Sequence, residues 1–372
     1  MKKTLEATAL LVGTIIGAGI FGIPYVIAQA GFLTGLITIG VLGAVLIILY
    51  LYLGEVTLRT KGRHQLSGYA EKYLGKTGKI IMTISMLAGI FGALIAYILG
   101  IGQSFSAVFG GNPWAYSIIF FIFFSFCIYY GIKTVAKIEF WILPALIAVI
   151  ALFAIFSYNK IDITNLSGFN PYGFFIPYGV ILFALLGGAA IPEMRQHLYL
   201  QCKKFKRSLI IGMIIPIAVY VIFALIVIGV TGINTTEIAT IGLGNALGYH
   251  MIVIGNLFAA FTMGTSFLTL GLAGKQMFQF DFKIHKLLSW FIAMFIPLLI
   301  ALSGLTTFIK AIGIAGTIAG AGEGILIVLM HKKAKKLGDR KPEYSIKSNN
   351  ILYAIVITLF LIGTLWFIYS LF

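Results

Sequence analysis

Charged residues are scarce in this chain, and their scarcity excludes the common classes of soluble protein. Only 10% of the 372 residues are Asp, Glu, Lys or Arg, against about 25% in soluble domains. Hydrophobic residues make up 60% and occur from end to end in long runs. Because roughly 20 apolar residues span a bilayer as a helix, the composition predicts an integral membrane protein.

Cysteine and histidine are also few, and neither forms a motif that carries chemistry. The two cysteines, Cys127 and Cys202, have no metal-ligand spacing and give no disulfide framework. The five histidines are separated from one another, and HExxH, DDxxD and Gly-x-Ser-x-Gly are missing. These absences argue against an enzyme embedded in the membrane. We therefore expect no catalytic residue, no cofactor and no metal other than a transported ion.

Apolar segments long enough to cross a membrane recur along the whole chain. Eleven are predicted, at approximately 5–30, 32–54, 80–109, 115–131, 138–158, 173–200, 208–231, 249–275, 287–305, 307–330 and 350–371. The first is longer than the apolar part of a cleavable signal peptide, so we expect it to be retained. The predicted fold class is all-α, with eleven transmembrane helices.

Acidic residues are outnumbered, 11 against 27 Lys and Arg, which gives a formal net charge of +16. With a cytoplasmic N-terminus and alternating spans, 25 of the 27 basic residues fall in cytoplasmic segments, and only Lys160 and Lys310 do not. Positive residues favour the cytoplasmic side, so this predicts a plasma membrane protein with its C-terminus outside. The basic loops then face anionic membrane lipid, and nucleic acid is not needed as a partner.

Glycine and proline are concentrated at corresponding places in two spans. Span 1 contains "GAGIFGIP" (17–24) and span 6 contains "GGAAIPE" (187–193). Spans 1 and 6 begin two halves of five spans each, and an odd number makes the second half inverted. We expect a first repeat over 1–158, a second over 159–348 that includes a cytoplasmic basic loop, and one extra helix over 349–372.

The stretch from Gly17 to Gly22 also matches GxGxxG, the pattern of a dinucleotide-binding turn. That fold needs a preceding strand and an acid about 20 residues on, whereas the next acid is Glu55, at a cytoplasmic boundary. Glycine and proline instead let a span come apart where it lines a cavity. The freed N–H groups suit a carboxylate and the freed C=O groups an ammonium or cation, which predicts an amino acid ligand. Close helix packing remains an alternative reason for the glycines.

Three stretches resemble a known family. "GTIIGAGIFGIP" (13–24), "AYILGIG" (96–102) and "TSFLTLGL" (265–272) are similar to spans 1, 3 and 8 of the tryptophan- and tyrosine-specific bacterial permeases. These permeases belong to the amino acid/auxin permease group of the amino acid–polyamine–organocation superfamily. The resemblance implies a leucine-transporter-like fold of five plus five inverted helices. It also implies secondary active uptake of amino acids by ion symport.

The resemblance further implies which residues bind substrate. The carboxylate would be held by the backbone around Gly17, Ala18, Gly19, Ile20 and Phe21. Tyr97 would reach the site from span 3, unless it is an ordinary packed aromatic. Phe183, Gly187 and Gly188 would line the side-chain pocket. Where the permeases carry a bulkier, polar stretch with a histidine, this chain has "LLGGAAIPE" (185–193). This departure argues against strict aromatic selectivity, so we expect a broader range of neutral amino acids, with aromatic or branched apolar side chains.

Two kinds of coupling ion remain open. In sodium-coupled members of the fold, a hydroxyl pair such as Thr265 and Ser266 faces backbone oxygens, here those of Gly13, Ile16 and Thr262. Such hydroxyls also often bond back to their own helix. Protons instead require a titratable group, and acids inside spans are functional candidates. Those candidates are Glu193, Glu323 and His197. Glu193 could instead form a salt bridge with Arg195 or with a nearby cytoplasmic lysine. The resemblance favours protons.

The mechanism expected from the resemblance is alternating access, in which spans 1, 2, 6 and 7 rock against spans 3, 4, 8 and 9. An amino acid sensor of the same fold, with little net transport, is the alternative. No obligate protein partner is expected.

Overall fold

Helices form the whole architecture of the described residues, which are 2–62, 64–131, 135–199 and 201–370 of a computed structural model. No strand occurs in these ranges. The helices are α1 (Lys2–Ile15), α2 (Gly19–Ala30), α3 (Phe32–Arg59), α4 (Leu66–Phe109), α5 (Pro113–Tyr130), α6 (Val135–Ser157), α7 (Tyr178–Leu185), α8 (Ala190–His197), α9 (Phe205–Thr231), α10 (Ala239–Leu247), α11 (Tyr249–Gln276), α12 (Lys286–Leu302), α13 (Phe308–Leu337) and α14 (Asn350–Tyr369).

Each predicted span coincides with one helix or with a pair of helices. By length and apolar composition, eight segments of the described chain can cross a membrane, with α7 and α8 counted as one, and α1 with α2, bent by 57°, makes a ninth. Two predicted spans fall short of this criterion. Helix α12 has 17 residues, and the side chains of α6 are described only from Pro144 onward. The count of eleven, like the division at 158 and 348, stays a prediction.

Local sequence explains where several helices begin and bend. Asn112 and Asn349 accept backbone hydrogen bonds at the starts of α5 and α14, as asparagine does at helix N-termini. Gly31, with φ of 87°, separates α2 from α3. Helix α4 begins at Leu66, well before the predicted limit of 80, and Gly75, with φ of 76°, marks a kink in it. The polar stretch 58–79 is therefore largely helical, although its polar composition predicts a connecting segment outside the spans.

Glu55 lies at the end of α3, as predicted, but it is completely buried (0% exposed). Its carboxylate accepts hydrogen bonds from His331 Nε2 at 3.0 Å and from the Ile346 N–H at 2.7 Å. It also pairs with Arg59 at 2.8 Å and Lys335 at 2.7 Å. A buried carboxylate needs such partners, and here they come from α3, α13 and the loop after α13.

The loop between α13 and α14 is fastened across the end of α3. Tyr344 donates a hydrogen bond of 2.7 Å to the Leu51 carbonyl, and burial keeps the pKa of its hydroxyl well above the ordinary value, so it stays a donor. Asp339 pairs with Lys72, whose hydrogen bond lowers the pKa of that carboxyl. The N–H of Asp339 bonds to the Arg59 carbonyl at 2.8 Å. The loop thus joins α3, α4 and α13 at one end of the bundle.

Candidate functional site

Two helices are interrupted where the sequence predicts breaks. The first interruption lies between Ile15, which ends α1, and Gly19, which begins α2; the second lies between Leu185 of α7 and Ala190 of α8. The prolines are not in the gaps. Pro24 lies inside α2, and Pro192 is the third residue of α8, where a missing N–H costs little. Glycine therefore marks both breaks more closely than proline does.

The two breaks lie against each other. A methyl group at Gly19 would lie 2.6 Å from the Cα of Ala184, so the start of α2 crosses the end of α7 at backbone contact. A methyl group at Gly187 would lie 2.5 Å from the Ile15 side chain. Only residues without a Cβ allow this approach. The interrupted backbones of both halves therefore meet in one place.

Side chains from two further helices face the first break. A methyl group at Gly17 would lie 3.6 Å from the Tyr97 hydroxyl of α4 and 3.8 Å from the Ser266 hydroxyl of α11. Tyr97 is buried, with 3% exposure. The structure thus brings together Gly17 and Tyr97, which the sequence proposed for the substrate site, and Ser266, which it proposed for the cation site. Their binding roles remain predictions.

Two tyrosines that the sequence analysis missed bond directly to the breaks. Tyr50 of α3 donates to the Leu185 carbonyl at 3.0 Å and accepts from the Gly187 N–H at 2.6 Å. Tyr220 of α9 contacts the carbonyl oxygens of Ile15 at 2.9 Å and Ala184 at 2.8 Å. The chain has 18 tyrosines. The only sequence signal that distinguished Tyr50 and Tyr220 was their position, since each lies on the second span of a predicted half.

The family comparison decides the class of protein. A sequence model of the tryptophan/tyrosine permease family matches residues 1–367. The chain belongs to this family. It is thus an amino acid permease of the membrane and not an enzyme.

Individual relatives agree with this membership. The permease is 27% identical to tyrosine-specific transport system 1 of Haemophilus influenzae, over 96% of this chain and 95% of the relative. It is 25% identical to glutamine transporter 2 of Aliivibrio fischeri over 85% of each chain. It is 26% identical to tyrosine-specific transport system 2 of H. influenzae, over 85% and 84%.

A solved structure confirms the predicted fold. The permease superposes on the crystal structure of MhsT in complex with L-phenylalanine with a TM-score of 0.69 and 15% identity. The match covers 99% of this chain and 98% of the other. The leucine-transporter-like fold predicted from the resemblance is therefore confirmed.

Glu323 of α13 lies at the second break of the permease. A methyl group at Gly188 would lie 3.1 Å from Glu323 Oε2 and 3.7 Å from the Tyr50 ring. Glu323 is half-buried, and no ion pair among the described residues includes it. An acid held inside a span without a cation beside it is a functional candidate.

Glu193 and His197 lie four residues apart on α8, and both are exposed on one face of that helix. Both lie outside the gap, after Gly188 in the chain. Arg195, considered as a partner for Glu193, donates to the carbonyls of Thr60 at 2.8 Å and Gly62 at 3.1 Å. The guanidinium thus fastens α8 to the segment between α3 and α4.

The residues predicted to bind a cation are Gly13, Ile16, Thr262, Thr265 and Ser266. Thr265 donates to the Thr262 carbonyl at 3.0 Å, and Thr262 donates to the Ala259 carbonyl at 2.9 Å, so both hydroxyl protons are used within α11. Gly13 is exposed and would place a methyl group in open space. Ile16 is buried, with 6% exposure. The back-bonding alternative thus describes Thr265 of the predicted hydroxyl pair, although its oxygen lone pairs stay available to a cation.

Proposed function

We propose that this permease takes up neutral amino acids with large apolar or aromatic side chains, in symport with protons, by alternating access. The observation that carries the proposal is the meeting of the two breaks, with Tyr97 and Ser266 beside Gly17 and Glu323 beside Gly188. The names of relatives add support, because two are tyrosine-specific transport systems and one is a glutamine transporter. MhsT was crystallised with L-phenylalanine.

The first break supplies groups for the amino acid backbone. Helix α2 begins at Gly19, and the first bond of its turn, from the Ile20 N–H to the Gly17 carbonyl, is long at 3.4 Å. N–H groups at a helix start lack partners inside the helix, and the helix dipole favours an anion there. The substrate carboxylate takes this position, and the Tyr97 hydroxyl lies close enough to Gly17 to share it.

In this proposal, the substrate side chain lies at the second break. Gly187 and Gly188 have no side chains, which lets Ile15 and Glu323 approach the backbone of the gap. Phe183 is half-buried, whereas Leu182 and Ala184 on either side are buried. Phe183 is the aromatic side chain next to this break. Aromatic rings bind one another through offset or edge-to-face contacts, so a tyrosine, tryptophan or phenylalanine side chain suits this gap.

Glu323 is the proton carrier in this proposal. It adjoins the second break, so its charge interacts with a substrate bound there. Burial favours the neutral form of a carboxyl group. Glu193 and His197, on the exposed face of α8, serve as proton donors or acceptors nearer the water. The sodium alternative depends on Thr265 and Ser266.

The orientation follows from charge. Basic residues fall almost entirely in segments that are cytoplasmic if the N-terminus is inside. The proposal therefore has the permease in the cell membrane, with a cytoplasmic N-terminus and with membrane lipid around its apolar faces.

Uptake into proteoliposomes tests the function. A mixture of labelled amino acids is offered under an inward proton gradient with sodium absent. We expect concentrative uptake of aromatic amino acids that an ionophore abolishes. Uptake that requires sodium overturns proton coupling, and binding without uptake under either ion identifies a sensor.

A further inference from the structure

Tyr50 and Tyr220 occupy equivalent places in the two halves of the fold. Tyr50 follows Gly17 by 33 residues, and Tyr220 follows Gly187 by 33 residues. Each lies on the helix that follows a broken pair, α3 after α1 and α2, and α9 after α7 and α8. Both are fully buried, at 1% and 0% exposure. The inverted repeat therefore places one buried phenol next to the breaks from each half.

Tyr50 bridges the second break. Its hydroxyl donates to the carbonyl of Leu185, the last residue of α7, and accepts from the N–H of Gly187 inside the gap. One hydroxyl can do both because it has a proton and two lone pairs. An interrupted helix leaves such backbone groups unsatisfied, and an unsatisfied group in a buried site is costly. Tyr50 thus stabilises the non-helical conformation of the segment between α7 and α8.

Tyr220 joins the two breaks to each other. Its hydroxyl lies 2.9 Å from the carbonyl oxygen of Ile15, the last residue of α1, and 2.8 Å from that of Ala184, near the end of α7. Both helix ends carry partial negative charge. A single hydroxyl proton shared between the two carbonyls holds these ends together and offsets their repulsion.

We propose that Tyr50 and Tyr220 are a symmetry-related pair of positioning residues, which hold both breaks in the geometry that binds substrate. This inference rests on the proposed transport function. The phenols satisfy the carbonyls at the ends of α7 and α1, and the amino acid carboxylate is placed at the start of α2, where the Ile20 N–H forms only a long bond of 3.4 Å. Neither residue contacts substrate in this account.

Tyr178 provides a matched control. It is also fully buried, at 0% exposure, and its hydroxyl donates to a backbone carbonyl, that of Phe360 on α14, at 3.2 Å. This carbonyl belongs to neither break. A tyrosine-to-phenylalanine change at Tyr178 therefore removes the same kind of bond from a similar environment without touching a break.

The test compares Tyr50→Phe, Tyr220→Phe and Tyr178→Phe by hydrogen–deuterium exchange of the purified permease in detergent. Peptides covering 12–19 and 183–190 report the two breaks without any substrate. We expect Tyr50→Phe to speed exchange about tenfold in 183–190, as loss of a buried hydrogen-bond partner does. We expect Tyr220→Phe to speed it in both peptides and Tyr178→Phe in neither.

Uptake of labelled L-tyrosine by the same variants supplies the second readout. We expect the KM of both break variants to rise about tenfold, with the maximal rate changing less, and the KM of Tyr178→Phe to stay near that of the wild type. Break variants that match Tyr178→Phe in exchange, or that exchange faster with an unchanged KM, overturn the inference. If wild-type permease takes up no amino acid, the proposed function fails, and the exchange data still decide whether the tyrosines hold the breaks.

Discussion

Glu55 and His331 lie 276 residues apart in the sequence, and their side chains form a hydrogen bond of 3.0 Å that joins α3 to α13. Both are completely buried. The other imidazole nitrogen of His331 lies 2.6 Å from the Tyr353 hydroxyl on α14, and the ring stacks on Tyr52 at 4.1 Å. One carboxylate and one imidazole thus connect three helices at one end of the bundle.

We expect Glu55→Gln to destabilise the permease by about 3 kcal/mol, because it leaves Arg59 and Lys335 without their buried carboxylate. The apparent Tm in detergent measures the effect. Glu71→Gln is the control, since Glu71 forms an ion pair with Lys79 but is 46% exposed, where such pairs contribute about 1 kcal/mol or less. Equal shifts in Tm for the two variants would show that the Glu55 cluster adds no particular stability.

Gly19→Ala tests the crossing of the two breaks. The added methyl would lie 2.6 Å from the Ala184 Cα, which is backbone and does not move aside, so α2 and α7 must separate. We expect at least about a tenfold loss of L-tyrosine uptake, the size of effect that misplaced binding groups produce, in protein that inserts normally. Gly40→Ala in α3 is the control, because a methyl there meets nothing within 4 Å. Normal uptake by Gly19→Ala would remove this contact from the site.

Glu323→Gln separates coupling from binding. The amide keeps the shape of the carboxyl group but takes up no proton, so uptake driven by a proton gradient should be lost. Exchange of internal for external L-tyrosine, which needs no net proton movement, should continue. Glu193→Gln, on the exposed face of α8, is expected to reduce gradient-driven uptake by only about twofold, because water can replace an exposed group. Gradient-driven uptake by Glu323→Gln at the wild-type rate would exclude the carrier role.

Thr265→Val distinguishes the coupling ions. Valine keeps the shape of threonine but removes the hydroxyl oxygen that a sodium ion would need. With proton coupling, we expect uptake in the absence of sodium to stay within about twofold of wild type, since the lost hydrogen bond, to the Thr262 carbonyl, lies within one helix. If uptake is lost in this variant and depends on sodium in the wild type, sodium is the coupling ion and binds at α11.

The sequence was informative where a signal was local. The glycines at Gly17 and Gly187 located both breaks to within a few residues, because glycine is what a gap in a membrane helix requires. The motif around Tyr97 predicted that its side chain reaches the first break, because that motif carries the family resemblance, whereas Ser266 was predicted at a cation site and lies beside Gly17. The fold followed from the same stretches.

The remaining features depend on contacts between distant parts of the chain. Nothing near Tyr50 in the sequence predicts its bond to a broken helix 135 residues away, and nothing near Tyr220 predicts its bonds to helix ends 205 and 36 residues away. Burial of Glu55 is equally hidden, since its partners His331 and Ile346 lie on α13 and in the following loop. Periodicity reports which face of a helix is apolar, but it does not report which polar groups meet across the bundle.

Proton symport through Glu323 requires that protons enter together with the amino acid. A pH-sensitive dye trapped in proteoliposomes would record the internal pH when L-tyrosine is added outside, with sodium absent and no imposed gradient. The account predicts acidification with the wild-type permease and none with Glu323→Gln, while both bind L-tyrosine. Uptake of L-tyrosine without acidification, or equal acidification by the two proteins, would contradict it.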